Sequence, residues 1–182
     1  MKTVIMAGGR GTRISSVASD IPKPMIKIEG KPVLEHELEC LRDQGFTDII
    51  LTVSHLGNVI MDYFGDGSGV SPATGKPFGV HIEYYFEKEP LGNAGALFKI
   101  KDKLDSDFLL LNADAVFDVD FNRFVAFHKQ HGGLVTLFTH PNSIPTIADS
   151  LLLIKMELSS NGWLRKMNDR NTIAIVSMQG FM

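Results

Sequence analysis

Short apolar runs alternate with amphipathic stretches of helical spacing along most of this chain. That alternation restricts the fold more than any other feature. Thr3–Met6 is a β-branched apolar run leading into Ala7-Gly8-Gly9, which predicts a buried strand ending in a glycine loop. Pro32, Val33, Leu34, Leu38 and Leu41 predict a helix closed by Gly45, with Glu35, Glu37, Glu39, Arg42 and Asp43 on its other side. Asp48–Val53 predicts a second buried strand, Val59–Phe64 a short helix, and the Gly, Ser and Pro of residues 65–79 a surface loop. Val80–Phe86 alternates as a strand, Asn93–Ile100 reads as a helix, Phe108–Leu111 as a strand, Phe121–Gln130 as a helix, and Leu134–Phe138 as a strand. The expected architecture is α/β, a Rossmann-like, mostly parallel sheet with helices on both faces. Ligands of such sheets sit at the carboxyl ends of the strands. The loops at 7–13, 54–57, 87–92 and 112–118 are therefore where chemistry is expected.

Composition narrows the function classes. The chain has 182 residues, enough for one domain with a real core, and hydrophobic residues make up 44% of it. Eighteen Lys and Arg against 21 Asp and Glu give a net charge of -3, which argues against a nucleic-acid or anionic-membrane partner. The single Cys40 excludes a disulfide framework within the chain and any multi-cysteine zinc site. No apolar run is long enough for a membrane span, and the start of the chain lacks signal-peptide character, so the expected location is cytoplasmic.

Ala7-Gly8-Gly9-Arg10-Gly11-Thr12-Arg13, followed by Pro22-Lys23-Pro24, is the segment richest in chemistry. Its three glycines let backbone N–H groups approach phosphate oxygens, and Arg10, Arg13 and Lys23 add charge to the same place. A plain tight turn with solvated basic residues is the alternative. Two other phosphate loops do not fit. Neither Gly30-Lys31 nor Gly75-Lys76 continues with Ser or Thr as a Walker loop requires. The dinucleotide fingerprint would need glycine at Ile14 and an acid where Ser54 and His55 stand.

The G-G-x-G-T-R and P-K-P elements resemble those of the sugar-phosphate nucleotidyltransferases, or nucleoside-diphosphate-sugar pyrophosphorylases. The resemblance is greatest to the mannose-1-phosphate and D-glycero-D-manno-heptose-1-phosphate guanylyltransferases. Further shared elements follow in order: Tyr63-Phe64-Gly65-Asp66-Gly67, then Glu87 with Pro90-Leu91-Gly92 and Ala94-Gly95, then Leu111-Asn112-Ala113-Asp114. The resemblance implies transfer of a nucleoside monophosphate, GMP by preference, from NTP to a sugar 1-phosphate of mannose or manno-heptose type, with release of pyrophosphate. It implies a nucleotide site of Ala7, Gly8, Gly9, Arg10, Gly11, Thr12, Glu87, Pro90, Gly92 and Asn112. It further implies that Arg13 holds the pyrophosphate, Lys23 neutralises the attacked α-phosphate, and Asp114 binds Mg²⁺. A cap or turn role is the structural alternative for Asp114, and a solvated loop position for Glu87. A carboxylate at Glu87 could accept from two guanine donors but meets only one on uracil or thymine. Homo-oligomer formation is left open. The family's usual Leu-Asn-Gly-Asp carries Ala113 here, which either narrows the sugar pocket or is tolerated at negative φ.

The resemblance covers about residues 1–143, the expected nucleotide-binding part. Residues 144–182 form an atypical tail where the family has its sugar-binding half. Shifting the reading frame by one base forces Gly from Met156-Glu157, Glu from Met167-Asn168 and Ala from Met178-Gln179. The last permits the V-N-A-G strand of the family. A frameshift near Ser143 and true divergence are the two readings of this tail. A catalytically weak or inactive nucleotide-binding relative is accordingly the alternative to an active enzyme.

Overall fold

The computed structural model describes residues 1–9, 21–89, 91–116, 118–133, 135–138 and 177–178. Its centre is four parallel strands: β1 (Lys2–Ala7), β4 (Asp48–Val53), β5 (His81–Phe86) and β6 (Phe108–Asn112). A two-residue hairpin of β2 (Lys27–Ile28) and β3 (Lys31–Pro32) precedes α1 (Val33–Asp43). The remaining helices are α2 (Gly57–Phe64), α3 (Gly92–Lys99) and α4 (Phe121–His131). Short strands β7 (Val135–Thr136) and β8 (Ser177–Met178) complete a sheet ordered β5-β4-β1-β6-β8-β7. The strand β8 runs antiparallel to both neighbours, with Met178 opposite Phe108 and Val135.

Alternation along the strands splits the core in two. Ile5, Ile49, Leu51, Val53, Leu109 and Leu111 face one side, where Leu34, Leu38 and Leu41 of α1 and Ile60 and Phe64 of α2 meet Phe121 and Phe124 of α4. Val4, Ile50, Phe108 and Leu110 face the other, against Leu97 of α3 and Ile100. Helices thus cover both faces, as the α/β pattern requires. Phe64, Phe108 and Phe121 are almost wholly buried, each contributing about 1.5–3 kcal/mol of burial. Gly45 ends α1 at φ +88, and Phe46 N–H reaches back to Leu41 O at 2.9 Å, a closure that needs glycine's left-handed backbone.

Two acidic residues depart from the amphipathic reading of α1. Glu35 and Glu37 are each 1% exposed, although the spacing places them on the polar side. The cause is tertiary. Tyr63 of α2 donates its hydroxyl to Glu35 Oε2 at 2.7 Å. The chain after β6 comes down along the opposite flank, where Gln44 bonds Val119 O and Phe121 N–H. The Tyr63–Gly67 motif is likewise structural. At φ +81, Gly67 leaves no room for a side chain, since a Cβ would lie 2.5 Å from Val80 O, and Tyr84 donates to Gly65 O at 2.7 Å. Together these contacts form the turn that returns the chain from α2 toward β5. Of the expected Leu134–Phe138 strand, β7 covers Val135–Thr136, and Leu134 lies outside the described residues.

Candidate functional site

Parallel pairing brings four strand ends to one edge. Ala7 stands opposite Val53, Val53 opposite Phe86, and Met6 opposite Asn112. The residues that follow, Gly8, Ser54, Glu87 and Ala113, therefore leave the sheet side by side. Backbone bonds prolong the register by one step: Glu87 N–H donates to Val53 O at 2.7 Å, and Ala113 N–H to Met6 O at 3.1 Å.

Gly8 is the centre of this edge. Ser54 Oγ donates to Gly8 O at 2.6 Å, fixing the peptide plane where the glycine loop begins. The Glu87 carboxylate occupies the space above the Gly8 Cα, so that an added Cβ would lie 2.4 Å from Oε1. Glu87 is 7% exposed, and its Oε2 accepts the Leu91 N–H at 3.3 Å, just ahead of α3. Glu87 thus holds to β4 through its backbone N–H and to the start of α3 through its carboxylate, which packs over Gly8 at the end of β1. It is not a solvated loop residue. Glycine at position 8 follows from the close approach rather than from a positive φ, which Gly8 does not have.

The other candidates fall around this centre. Gly9 leaves open space where a Cβ would be. Asn112 ends β6 half-buried, and Asp114, two residues on, is exposed. Ala113 between them is 1% exposed and takes no positive φ, so its methyl is absorbed by the core. Lys23 is half-buried and opens a 3-10 turn, Lys23–Met25, that Pro22 precedes. Met25 of that turn joins the core cluster that also holds Ala7 and Ala113. The α3 backbone begins at Gly92. Arg10, Gly11, Thr12, Arg13 and Pro90 lie outside the described residues.

Three neighbours complete the account. Asp120 is the N-cap of α4, accepting Arg123 N–H at 2.8 Å. Burial pushes the Cys40 thiol up, which suits a packing residue rather than a nucleophile. Burial also pushes the Glu37 carboxyl well up, with the charge of Asp114 adding to the effect. Sequence reasoning missed Ser54, for which the signal was a small hydroxyl residue directly after a buried strand.

Asp114 offers carboxylate oxygens of the kind a hard divalent cation takes, and phosphate oxygens could supply more. No group of three or more His, Cys, Asp or Glu side chains is placed to hold a metal among the described residues. No helix among them is long and apolar enough to cross a membrane.

Comparison with known proteins identifies the family. Residues 2–147 match the family model described as nucleotidyl transferase. A UTP--glucose-1-phosphate uridylyltransferase of Synechocystis is 40% identical over 151 residues, which are 76% of this chain and 37% of that protein. A D-glycero-alpha-D-manno-heptose 1-phosphate guanylyltransferase of Campylobacter jejuni is 40% identical over 123 residues, 68% of this chain and 52% of that one. The crystal structure of HddC from Yersinia pseudotuberculosis superposes with a TM-score of 0.58 at 37% identity, covering 70% of this chain and 53% of that one. The chain thus spans about half or less of the length of these relatives. Family model and relatives converge on one conclusion: this chain belongs to the nucleotidyl transferase family.

Proposed function

We propose that this chain carries the nucleotide-binding part of a sugar-1-phosphate nucleotidyltransferase, taking GTP in preference to UTP. The observation that carries the reading is the row of strand ends at which Glu87 closes over Gly8, with Asn112 at the end of the strand next to β1 and Asp114 just beyond it. Under this reading Ala7, Gly8, Gly9, Arg10, Gly11 and Thr12 wrap the triphosphate. Glu87, Pro90 and Gly92 border the base, and Asn112 lies beside them. A guanine base offers two donors to Glu87, and its Oε1 is the oxygen not engaged by Leu91.

The reaction needs no protein nucleophile. A sugar 1-phosphate is already an anion; its oxygen attacks the α-phosphorus, the bond to the bridging oxygen of the β-phosphate breaks, and pyrophosphate leaves with the electron pair. Positioning and charge neutralisation are what a protein must add. Arg13 is assigned to the departing pyrophosphate and Lys23 to the α-phosphate. Asp114 would hold Mg²⁺, which when bound supplies positive charge to the phosphate oxygens.

Residues 1–143 are proposed as the nucleotide part and 144–182 as a tail in place of the sugar-binding half. The departure of this tail from the family pattern favours a second reading, a relative that holds nucleotide with little or no turnover. One experiment separates the two. The purified chain is incubated with Mg²⁺, GTP and mannose 1-phosphate or manno-heptose 1-phosphate, with UTP and glucose 1-phosphate in parallel. Pyrophosphate and nucleotide-sugar are then measured. Products that appear with GTP support the enzyme reading. Nucleotide binding without pyrophosphate supports the second, and absence of binding refutes both.

A further inference from the structure

A peptide between two glycines turns over more easily than any other, because no Cβ stands on either side of it. Successive glycines occur in this chain at Gly8-Gly9 and at Gly132-Gly133. The second pair is exposed at the end of α4. The first stands at the carboxyl edge of the sheet, directly after β1.

At Gly8-Gly9 one orientation of the peptide is selected. Ser54, at the end of β4, donates its hydroxyl to Gly8 O at 2.6 Å and is itself only 7% exposed. The Glu87 carboxylate packs against the same glycine. The peptide is trans, so its N–H, which belongs to Gly9, points opposite to the carbonyl and away from Ser54. On Gly9 the space is open: nothing lies within 4 Å of where a Cβ would be. The bond from Ser54 therefore decides which way a backbone donor faces at the start of the glycine loop.

We propose that Ser54 is a positioning residue for nucleotide binding: by holding Gly8 O, it turns the Gly9 N–H toward the bound nucleoside triphosphate. The proposal rests on the reading of the glycine loop as the nucleotide site. Ser54 itself touches no ligand. It removes the other orientation of the peptide beforehand, so less ordering is left for the binding step.

The test labels glycine with ¹³C at the carbonyl and ¹⁵N at the amide, with unlabelled serine supplied. A carbonyl-to-amide correlation then arises only at successive glycines, which makes Gly9 the reporter and Gly133 its internal reference. In the parent chain, GTP with Mg²⁺ should shift the Gly9 signal and leave Gly133 in place. In Ser54→Ala without nucleotide, the Gly9 signal should move or broaden as the peptide samples both orientations, again with Gly133 unmoved. Calorimetric GTP affinity of Ser54→Ala should fall about tenfold, the upper range for one hydrogen bond. Ser54→Thr, which keeps the hydroxyl, should restore both the signal and the affinity. Melting temperatures identify a variant that does not fold; Ser54→Cys, close in size but a weak donor, is then read in place of Ser54→Ala. GTP binding by the parent that leaves Gly9 unmoved overturns this inference and leaves the nucleotide reading standing. So does parent-like affinity in Ser54→Ala, or affinity in Ser54→Thr as low as in Ser54→Ala. Absence of GTP binding by the parent overturns the nucleotide reading and this inference with it.

Discussion

Replacing Gly8 with Ala tests whether the Glu87 carboxylate is fixed where the structure shows it. The new Cβ would lie 2.4 Å from Oε1 and 3.0 Å from Cδ, where ordinary contact begins at 3.4 Å. The carboxylate must therefore move by about 1 Å, the shortfall at Oε1 for a contact of ordinary length. It has little freedom to do so, being 7% exposed and bonded through Oε2 to Leu91 N–H at 3.3 Å. Loss of a hydrogen bond to a charged group costs about 1.5–3 kcal/mol. Gly8→Ala should then destabilise by about 2 kcal/mol, a fall in Tm of roughly 4–8 °C for a chain of this size. Glu87→Ala removes the obstacle together with its bond. In that background Gly8→Ala should cost almost nothing, leaving a coupling of about 2 kcal/mol in the double-mutant cycle. Urea unfolding of the four proteins, followed by circular dichroism, measures it. Additivity within about 0.5 kcal/mol, the usual scatter for independent sites, would show that Glu87 does not sit over Gly8 and would refute the reasoning.

Lys23→Ala and Arg13→Ala should each weaken GTP binding tenfold or more, since a charge-assisted contact of about 1.5–3 kcal/mol is lost, while Tm changes little; comparable losses in Tm and affinity would make them structural residues. Glu87→Gln should erode the preference for GTP over UTP in competition binding, and an unchanged ratio would mean that Glu87 does not read the base. Stability should also fall in alkali through Tyr84. Burial, followed by the charge of Asp66, pushes its phenol up to about 12, above an ordinary value of about 10. The unfolded chain therefore loses this proton first, so stability declines between those two values. Urea midpoints at pH 9 and 11 should converge in Tyr84→Phe, and a slope unchanged by that substitution would exclude Tyr84 as its source.

The strand and helix alternation made the sheet and its carboxyl edge legible, because periods of two and 3.6 residues are local properties of the chain. The Gly45 closure of α1 was legible for the same reason. The hairpin of Lys27–Ile28 with Lys31–Pro32 was not, since two-residue strands carry no period. Nor was Ser177–Met178, whose place between β6 and β7 depends on pairing with residues far away in the chain. The buried acids show the same limit. Glu35 looks like a polar-face residue until Tyr63 of α2 bonds it, and Glu37 is buried on the same helix without a local sign of it. At the site, glycines and charges marked the β1 loop, but the lock between Ser54 Oγ and Gly8 O depends on strand register that no local pattern encodes.

Calorimetric titration of the 182-residue chain with Mg²⁺ and GTP, repeated with UTP and with Lys23→Ala, tests the central claim most directly. The account predicts one saturable site, tighter for GTP than for UTP and at least tenfold weaker in Lys23→Ala. No saturable heat with either nucleotide, or binding indifferent to both the base and Lys23, would contradict a nucleotide site at the carboxyl edge of this sheet.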